Sequence, residues 1–513
     1  MRTVNTAKNL AGSLSLTLIM VPLGFISRKI FIDTIGVEYL GLNGLLSNVL
    51  GVMSLLEGGF AASVVYNMYK PLAEDNRPMI LSLVQLYKTV YRWIGLALVA
   101  FAVCLYPFLP IFINDSTSLP YLSFVYFIFV FNTVVNYFTA HKLSLINASQ
   151  KAYKLAITNI CYQIGLTVGR ISVLYYTHNY ILYLILEAVF GVCLNLVIVH
   201  KCNKLFPYIV TQKRYRIDPE VRHRIIRNMK ALFINKIGGF LMHSTDNIII
   251  SSFLGLSVVG FYSNYSMITA LLRNLSDQLL NSYSESAGNL IASSENDQVY
   301  EVFKVAFFVD FIVNSFIVII FANTINPFIC WWLGKDYVLS NFVLFAIVLN
   351  MYLLGMRGSA YIFKTKAGLF MQDRFSPFIQ SVINVALSVW LVHIWQLAGV
   401  LLATAISLMS IGVWQFPHLC YKHIFHRPLS EYFIKYFTYA LTCGATLFLS
   451  HLLCELVIFH NNLLQAIVNG IISLFTIIVV YWFLFRRSYQ YVNTVEYIKA
   501  TFSNLFSKSQ CTR

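Results

Sequence analysis

The sequence predicts an all-α polytopic membrane protein in which 14 transmembrane helices form two six-helix lobes followed by two C-terminal helices. Three observations support this fold class. Of 513 residues, 58% are hydrophobic and only 11% are charged, whereas soluble domains contain about 25% charged residues. Apolar stretches of helical length recur along the whole chain, and basic residues concentrate between alternate stretches. This pattern leaves no room for a large soluble catalytic domain.

Fourteen stretches are apolar and long enough to cross the hydrocarbon core, which takes about 20 residues of α-helix. The first eight lie at roughly 9–32, 43–67, 90–113, 120–140, 155–177, 179–200, 232–254 and 258–283. The other six lie at roughly 301–325, 338–360, 376–395, 397–419, 436–458 and 463–485. We number these stretches as spans 1 to 14.

The distribution of basic residues tests both the number of spans and their orientation. With the N-terminus in the cytoplasm, 32 of the 37 Lys and Arg residues fall in cytoplasmic segments or at adjoining helix ends. Arg357 and Lys364 are among them. One span more or fewer would scramble this alternation, so we predict 14 spans with both termini in the cytoplasm. The net charge of +16 then reflects topology and affinity for membrane lipids, and no nucleic-acid partner is predicted.

The longest predicted cytoplasmic connection, 201–231, is strongly basic and separates six spans from eight. We interpret it as a linker between an N-terminal lobe at 1–200, with spans 1 to 6, and a C-terminal lobe at 232–420, with spans 7 to 12. Spans 13 and 14 and a cytoplasmic tail occupy 421–513.

A weak internal repeat fits this division. Gly36 aligns with Gly255 and Gly41 with Gly260, both at an offset of 219 residues, just after the first span of each lobe. Because six is an even number of spans, the two lobes should have the same topology and be related by an axis along the membrane normal.

Four of the cationic side chains within predicted spans are candidate ligands, because an ionisable group costs roughly 2.5 to 3.5 kcal/mol at the bilayer centre. They are Arg28 in span 1, Arg170 in span 5, Lys236 in span 7 and Arg273 in span 8. Each shares a helical stripe with small or polar residues, so these faces should line a cationic cavity rather than contact lipid. Simpler interpretations remain open. Arg28 and Lys236 could snorkel to an interface, whereas Arg170 and Arg273 could form internal ion pairs.

Acidic residues inside the spans are candidates for coupling transport to an ion gradient. The spans hold Glu57 in span 2, Glu187 in span 6, Asp246 in span 7, Asp277 in span 8, Asp310 in span 9 and, nearer an outer end, Glu455 in span 13. Of these we take Glu57, Asp246, Asp277 and Asp310 as the coupling candidates. A carboxylate at low dielectric can exchange a proton or hold Na⁺, and the sequence does not distinguish the two ions. A structural ion pair with a nearby Arg or Lys is the alternative for each; Asp277, for example, follows Arg273 by four residues.

No cofactor is predicted. The nine cysteines form no CxxC motif and no cluster with histidine at metal-ligand spacing, so we expect neither a metal site nor a redox centre. The sequence also contains no P-loop, no GxSxG motif and no dinucleotide-binding motif, which argues against ATP-driven transport.

Several segments resemble a known family. They are KNL at 8–10, FISRKIFIDTIGVEYLGLNGLLSNVLGVMSLLEGGF at 25–60, NMYKPLAED at 67–75 and STDNIIISSFLGLSVVGFYSNY at 244–265. Together they resemble the bacterial polysaccharide flippases, the Wzx-like exporters of O-antigen, capsule or exopolysaccharide repeat units. These belong to the multidrug/oligosaccharidyl-lipid/polysaccharide exporter superfamily. The resemblance covers about the first 375 residues, and the last spans agree by hydropathy.

The resemblance implies a MATE-like fold in the cytoplasmic (inner) membrane and transport by alternating access. The implied cargo is an oligosaccharide linked to undecaprenyl pyrophosphate, destined for a surface polysaccharide. Arg28, Arg170, Lys236 and Arg273 would bind the diphosphate, and H⁺ or Na⁺ would drive the cycle. Spans 13 and 14 would form a groove for the isoprenyl tail, and a polysaccharide polymerase would be a partner.

Two other functions remain open. A drug or metabolite antiporter of the same superfamily would have a small acidic or apolar pocket, and the cationic stripes count against it. A membrane-embedded polysaccharide polymerase would need a substantial outer loop or a carboxylate cluster such as DxD, and the sequence has neither. We therefore predict a transporter and not an enzyme.

Overall fold

The computed structural model describes residues 20–52, 57, 60–113, 121–149, 151–211, 213, 215–223, 225–226, 245–293, 295–369 and 372–492. Within them every regular element is helical and no strand occurs, which confirms the all-α prediction. Each of the 14 predicted spans contains helical residues in the described part of the chain. Seven helices there are individually long and apolar enough to cross a membrane, or eight if one bent pair is a single span. The protein is therefore a multi-pass membrane protein.

Seventeen helices are numbered here in chain order, counting only the described residues. The first nine are α1 (20–35), α2 (Val37–Gly51), α3 (Phe60–Ala73), α4 (Arg77–Leu105), α5 (Leu122–Val135), α6 (Ala140–Ala148), α7 (Tyr153–Thr177), α8 (Tyr180–Leu205) and α9 (245–254). The others are α10 (Leu256–Ser293), α11 (Asn296–Trp332), α12 (Asn341–Gly355), α13 (Gly358–Lys366), α14 (Ser376–Ser407), α15 (Val413–Cys420), α16 (Ser430–Glu455) and α17 (Asn462–Phe485).

The chain divides into two compact units, Met1–Gly260 and Phe261–Arg513. This division places α9 and the first turn of α10 with the first unit, whereas the sequence suggested a break within the 201–231 linker. The predicted lobe boundaries stay a prediction.

In the first unit, α3, α4, α6 and α8 surround an aromatic core. The rings of Tyr87 and Tyr91 stack with their centroids 4.3 Å apart, and Phe60 packs on both. The chain reverses between α7 and α8 because His178 adopts a left-handed conformation and the Asn179 side chain caps α8 by accepting from two backbone N–H groups. This tight turn makes α7 and α8 an antiparallel hairpin.

The repeated glycines adopt matching conformations, also within the first unit. Gly36 and Gly255 have positive φ angles of 102° and 90°, and each immediately precedes a helix. A Cβ atom on Gly41 would lie 1.9 Å from the carbonyl oxygen of Leu256, and one on Gly260 would lie 2.4 Å from that of Val37. The fifth residue of each helix thus packs on the first residue of the other, at a distance that only glycine permits.

In the second unit, α11 is the central helix, and both α16 and α17 pack on it. Asn323 donates hydrogen bonds of 2.9 Å to the hydroxyl oxygens of Ser450 on α16 and Ser473 on α17. The side-chain amide of Asn469 on α17 donates to the backbone oxygen of Asn323 at 2.9 Å. Since all four side chains are buried, this network fixes the C-terminal pair of helices to α11.

Helix α14 joins spans 11 and 12 across a kink where the sequence predicts their boundary. Trp395 and Gln396 are non-helical, with φ of 49° at Gln396. The chain then returns so tightly that a Cβ on Gly399 would lie 2.1 Å from the carbonyl oxygen of Leu391. Two π-helical segments follow, Leu408–Gly412 and Tyr421–Phe425.

Candidate functional site

Arg170 lies in an ion pair between the two helices of the α7–α8 hairpin. Its Nη2 atom is 2.6 Å from Oε2 of Glu187, and its guanidinium lies 5.0 Å from the centre of the Tyr183 ring. The Arg170 side chain is 24% exposed. Its Nε atom is buried and has no hydrogen-bond partner among the described residues. The internal ion pair left open by the sequence is therefore present, yet one guanidinium donor is unused.

Arg28 lies near the same place and is partly buried. It interacts electrostatically with Tyr183, the residue whose ring also lies against Arg170. The structure thus brings together two of the predicted cations, one from α1 and one from α7, beside a single tyrosine on α8.

Aromatic rings from three helices pack together with Tyr183. Phe31 on α1 lies edge-on to Tyr180 and Tyr183, with centroid distances of 5.9 and 5.4 Å. Tyr39 on α2 packs on Tyr180 at 4.7 Å, and the Tyr180 hydroxyl donates to the side-chain oxygen of Asn43. Aromatic faces beside guanidinium groups can hold both a sugar ring and a phosphate.

Arg273 in the second unit has a looser environment than Arg170. Its Nε atom is 3.8 Å from Oδ2 of Asp277 on the same helix, and the two side chains are 45% and 54% exposed. Arg357 lies within electrostatic range of both and 5.6 Å from the ring of Phe416. Two guanidinium groups and one carboxylate therefore lie close together here.

Gln380 on α14 completes this second cluster. It is buried, and its Nε2 atom has no hydrogen-bond partner among the described residues. A Cβ on Gly412 would lie 3.1 Å from Nη1 of Arg357 and 3.3 Å from Oε1 of Gln380, so both side chains pack closely against this glycine. Sequence reasoning missed this role of Arg357 because it counted Arg357 as a basic residue at a cytoplasmic helix end. The available signal was the MRGS break at 356–359, which interrupts span 10.

The predicted acidic residues have different environments. Asp310 is fully buried, and its carboxylate accepts a hydrogen bond from the backbone N–H of Ser359 at the start of α13. Glu57 is partly buried and accepts from the hydroxyl of Tyr91. Asp246 is partly buried in α9. Asp277 forms an ion pair with Arg273, one of the predicted cations. Lys236 lies outside the described residues.

Lys364 is a second cation that the topology argument placed in a cytoplasmic loop. In the structure it is buried and forms an ion pair with Asp373, which is also buried. Its ammonium lies 4.7 Å from the centre of the Phe416 ring. The pair links α13 to the segment before α14, so Lys364 has a local structural role as well as its place in the charge pattern.

An apolar groove of about 680 Å³ lies in the second unit, between α12, α15 and α16. Residues that line it include Phe345, Tyr352, Trp414, Phe433, Phe437 and Leu447. The sequence-based expectation placed a groove between spans 13 and 14. This groove uses span 13 together with spans 10 and 12, and the expected groove between spans 13 and 14 stays a prediction. Among the described residues, no group of three or more His, Cys, Asp or Glu side chains could hold a metal ion.

No protein-family model and no curated protein sequence matches this chain. Solved structures do match. The lipid II flippase MurJ, in an inward closed conformation, superposes with a TM-score of 0.66 at 14% identity, covering 93% of this chain and 99% of MurJ. An inward-facing multidrug resistance MATE family transporter of the MOP superfamily gives a TM-score of 0.54 at 13% identity, covering 77% of this chain and 92% of that one.

The Vibrio cholerae MATE transporter VcmN gives a TM-score of 0.54 at 10% identity, covering 83% of this chain and 99% of VcmN. At such low identities the likeness establishes the fold. The chain therefore has the fold shared by MurJ and the MATE transporters, which confirms the predicted MATE-like architecture.

Proposed function

We propose that this protein flips a lipid-linked oligosaccharide, joined to its lipid by a diphosphate, across the cytoplasmic membrane. The observation that carries the proposal is the convergence of Arg28 and Arg170 on Tyr183, with a buried guanidinium donor of Arg170 unused. The extensive superposition on MurJ, a lipid II flippase, supports a lipid-linked cargo. The resemblance of 25–60 and 244–265 to Wzx-like exporters supports an undecaprenyl-pyrophosphate repeat unit of a surface polysaccharide.

A diphosphate suits this site for chemical reasons. Guanidinium groups bind phosphate oxygens through two parallel hydrogen bonds and remain charged when partly buried. In the proposed loading step, the diphosphate competes with Glu187 for Arg170 and takes up the Nε donor that the carboxylate leaves free. When the diphosphate leaves, Glu187 can pair with Arg170 again. The empty transporter therefore does not hold a partly buried Arg170 charge without a counter-charge.

The neighbouring rings provide a place for sugar. The partly exposed Tyr183 ring lies next to the Arg170 guanidinium, and sugars commonly pack their apolar faces on such rings. The apolar groove beside α16 is large enough to take part of a hydrocarbon chain.

Coupling to an ion gradient completes the proposed cycle of alternating access. Of the four candidates, Asp277 fits best because it is half-exposed and its partner Arg273 is itself a proposed ligand of the diphosphate. Protonation of Asp277, or binding of Na⁺ to it, would change how strongly Arg273 attracts the cargo. Glu57, Asp246 and Asp310 remain candidates, and Lys236 remains a proposed diphosphate ligand. A polysaccharide polymerase remains a proposed partner.

The test is to place the purified protein in liposomes that contain a fluorescent isoprenyl-diphosphate disaccharide. Fluorescence that a membrane-impermeant quencher cannot reach reports the labelled lipid in the inner leaflet, and its decline reports flipping. We expect wild type to flip the lipid and Arg170→Ala to be inactive, with partial activity in Arg170→Lys. Equal rates in wild type, Arg170→Ala and protein-free liposomes would refute the proposal.

The MATE likeness makes a drug or metabolite antiporter the second candidate. The same liposomes distinguish it when loaded with an organic cation such as ethidium. Cation efflux driven by a proton or sodium gradient, without flipping of the diphosphate lipid, would favour the antiporter.

A further inference from the structure

A second cavity, of about 430 Å³, lies at one end of the second unit and away from the arginine cluster of that unit. It is bounded by the first turns of α11 and α16, by the π-helical segment Tyr421–Phe425 and by Gln490 after α17. Because helix ends surround it, the cavity lies at a membrane–water boundary rather than at the bilayer centre.

Three cationic side chains line the cavity. Nζ of Lys304 is 2.6 Å from Oε1 of Glu301, and the two terminal nitrogens of Arg427 are 3.0 Å from Asp297 and 3.9 Å from Glu431. Lys435 is exposed and belongs to no ion pair among the described residues.

Two more cations, Arg486 and Arg487, directly follow α17 on the way to Gln490, and both are exposed. In the described part of the chain neither has a carboxylate within ion-pairing distance. The wall of the cavity and its surroundings therefore carry excess positive charge.

The single carboxylate that lines the cavity, Glu431, is already engaged. It accepts a hydrogen bond of 2.6 Å from the hydroxyl of Tyr300 and faces Arg427. The Arg427 guanidinium in turn lies 4.4 Å from the centre of the Tyr300 ring. These contacts largely neutralise Glu431, so it opposes a bound anion only weakly.

The side chain of Tyr432 also lines this cavity. Tyr432 is only 1% exposed, and its OH group has no hydrogen-bond partner among the described residues. A buried hydroxyl without a partner costs roughly 1 to 3 kcal/mol, so a ligand that accepts from it gains stability.

We propose that this cavity binds the phosphate group of an anionic phospholipid from the leaflet at this end of the helices. Lys435 and Lys304 would neutralise the phosphate, and the Tyr432 hydroxyl would donate to one of its oxygens. Ile434 lines the cavity, and it and Leu441, two turns further along α16, are 65% and 77% exposed. They lie on one helical face and give the acyl chains an apolar path away from the headgroup. This path favours a lipid over free phosphate.

The experiment measures thermal unfolding of the detergent-purified protein while phosphatidylglycerol, phosphatidylcholine or inorganic phosphate is added. We expect phosphatidylglycerol to raise Tm in wild type more than either of the others does. Lys435→Glu should weaken the apparent affinity for phosphatidylglycerol about tenfold, because a charge-assisted contact becomes a repulsion. Lys335→Glu, in the turn after the opposite end of α11, is the matched control and should behave as wild type.

Tyr432→Phe provides a gentler second variant. It should fold as well as wild type because it removes only a hydroxyl without a partner, yet its Tm should rise less with phosphatidylglycerol. If inorganic phosphate raised Tm as much as phosphatidylglycerol does, the cavity would bind phosphate, but its ligand would be a soluble anion and not a lipid. If Lys435→Glu and Tyr432→Phe both respond to phosphatidylglycerol as Lys335→Glu does, the proposal is wrong.

Discussion

The two units use arginine in different ways. In the first unit, Arg170 reaches a carboxylate on a neighbouring helix at 2.6 Å and lies against a tyrosine ring. In the second, Arg273 is separated by 3.8 Å from a carboxylate on its own helix, and both side chains are half-exposed. An ion pair between two helices holds them together, whereas a half-exposed pair within one helix contributes little stability. Arg170 should therefore serve structure as well as cargo binding, and Arg273 mainly cargo binding.

The largest expected effect comes from removing each arginine in turn. Arg170→Ala and Arg273→Ala should each lower the flipping rate at least about tenfold, since each loses a charge-assisted contact to the diphosphate. Only Arg170→Ala should also lower Tm. Flipping assays and thermal unfolding on the same preparations measure the two effects. An equal loss of Tm in both variants would remove the distinction between the units.

The second prediction concerns the partner of Arg170. Glu187→Ala leaves a partly buried guanidinium without its carboxylate and should destabilise the protein by about 1 to 3 kcal/mol, less than for a fully buried pair. Glu187→Gln should cost less because the amide oxygen can still accept a hydrogen bond. Denaturant titration in mild detergent measures both. If the ion pair competes with cargo, Glu187→Gln should also bind the diphosphate lipid more tightly than wild type does.

A third, smaller effect is expected at Gln380. Gln380→Leu removes the amide that lies with Arg357 around Gly412, so the position of Arg357 should become less defined. We expect a weaker affinity for the diphosphate lipid, by roughly threefold to tenfold, with little change in Tm. Binding of a labelled lipid to the purified protein measures this affinity, and Gln415→Leu is a control on a neighbouring helix. If Gln380→Leu binds the lipid as wild type does, Gln380 has no role in binding, and only Arg273 and Asp277 of the second cluster would remain as candidates.

The smallest expected effect on stability is that of Asp277→Asn. A half-exposed pair four residues apart contributes about 0.3 to 0.5 kcal/mol, so Tm should hardly change. Transport should nevertheless lose its dependence on the ion gradient if Asp277 is the coupling residue. Flipping rates with and without an imposed H⁺ or Na⁺ gradient test this. Retention of full gradient dependence would transfer the coupling role to Glu57, Asp246 or Asp310.

The sequence was sufficient to predict where the helices lie, because apolar stretches and the breaks between them are local features of the chain. The boundary between spans 11 and 12, predicted from apolar stretches at 376–395 and 397–419, coincides with the kink at Gln396. The proximity of Arg170 and Glu187 could also be anticipated in part, because consecutive spans joined by a short turn pack as a hairpin. In both cases, residues close together in the sequence determine the structure.

Long-range contacts explain what the sequence could not provide. Basic residues were assigned to the cytoplasm by their order along the chain, and this order says nothing about whether Lys364 turns inward to meet Asp373. Likewise, no pattern in the sequence shows that Arg357, in the turn before α13, and Gln380, on α14, both lie next to Gly412. The close packing of Gly260 on Val37, which joins the start of α10 to the first unit, depends on a backbone approach that hydropathy does not record.

The Asn323 network has a consequence for how the protein is made. Helix α11 is synthesised before Ser450, Asn469 and Ser473. During synthesis, Asn323 therefore lacks the hydrogen bonds that it makes with these residues in the folded protein. An unsatisfied amide in hydrocarbon is costly, and the nascent protein carries that cost until its last two helices insert. Translation products that stop short of α16 should therefore be recognised by membrane proteases, which makes this asparagine a checkpoint for complete biogenesis.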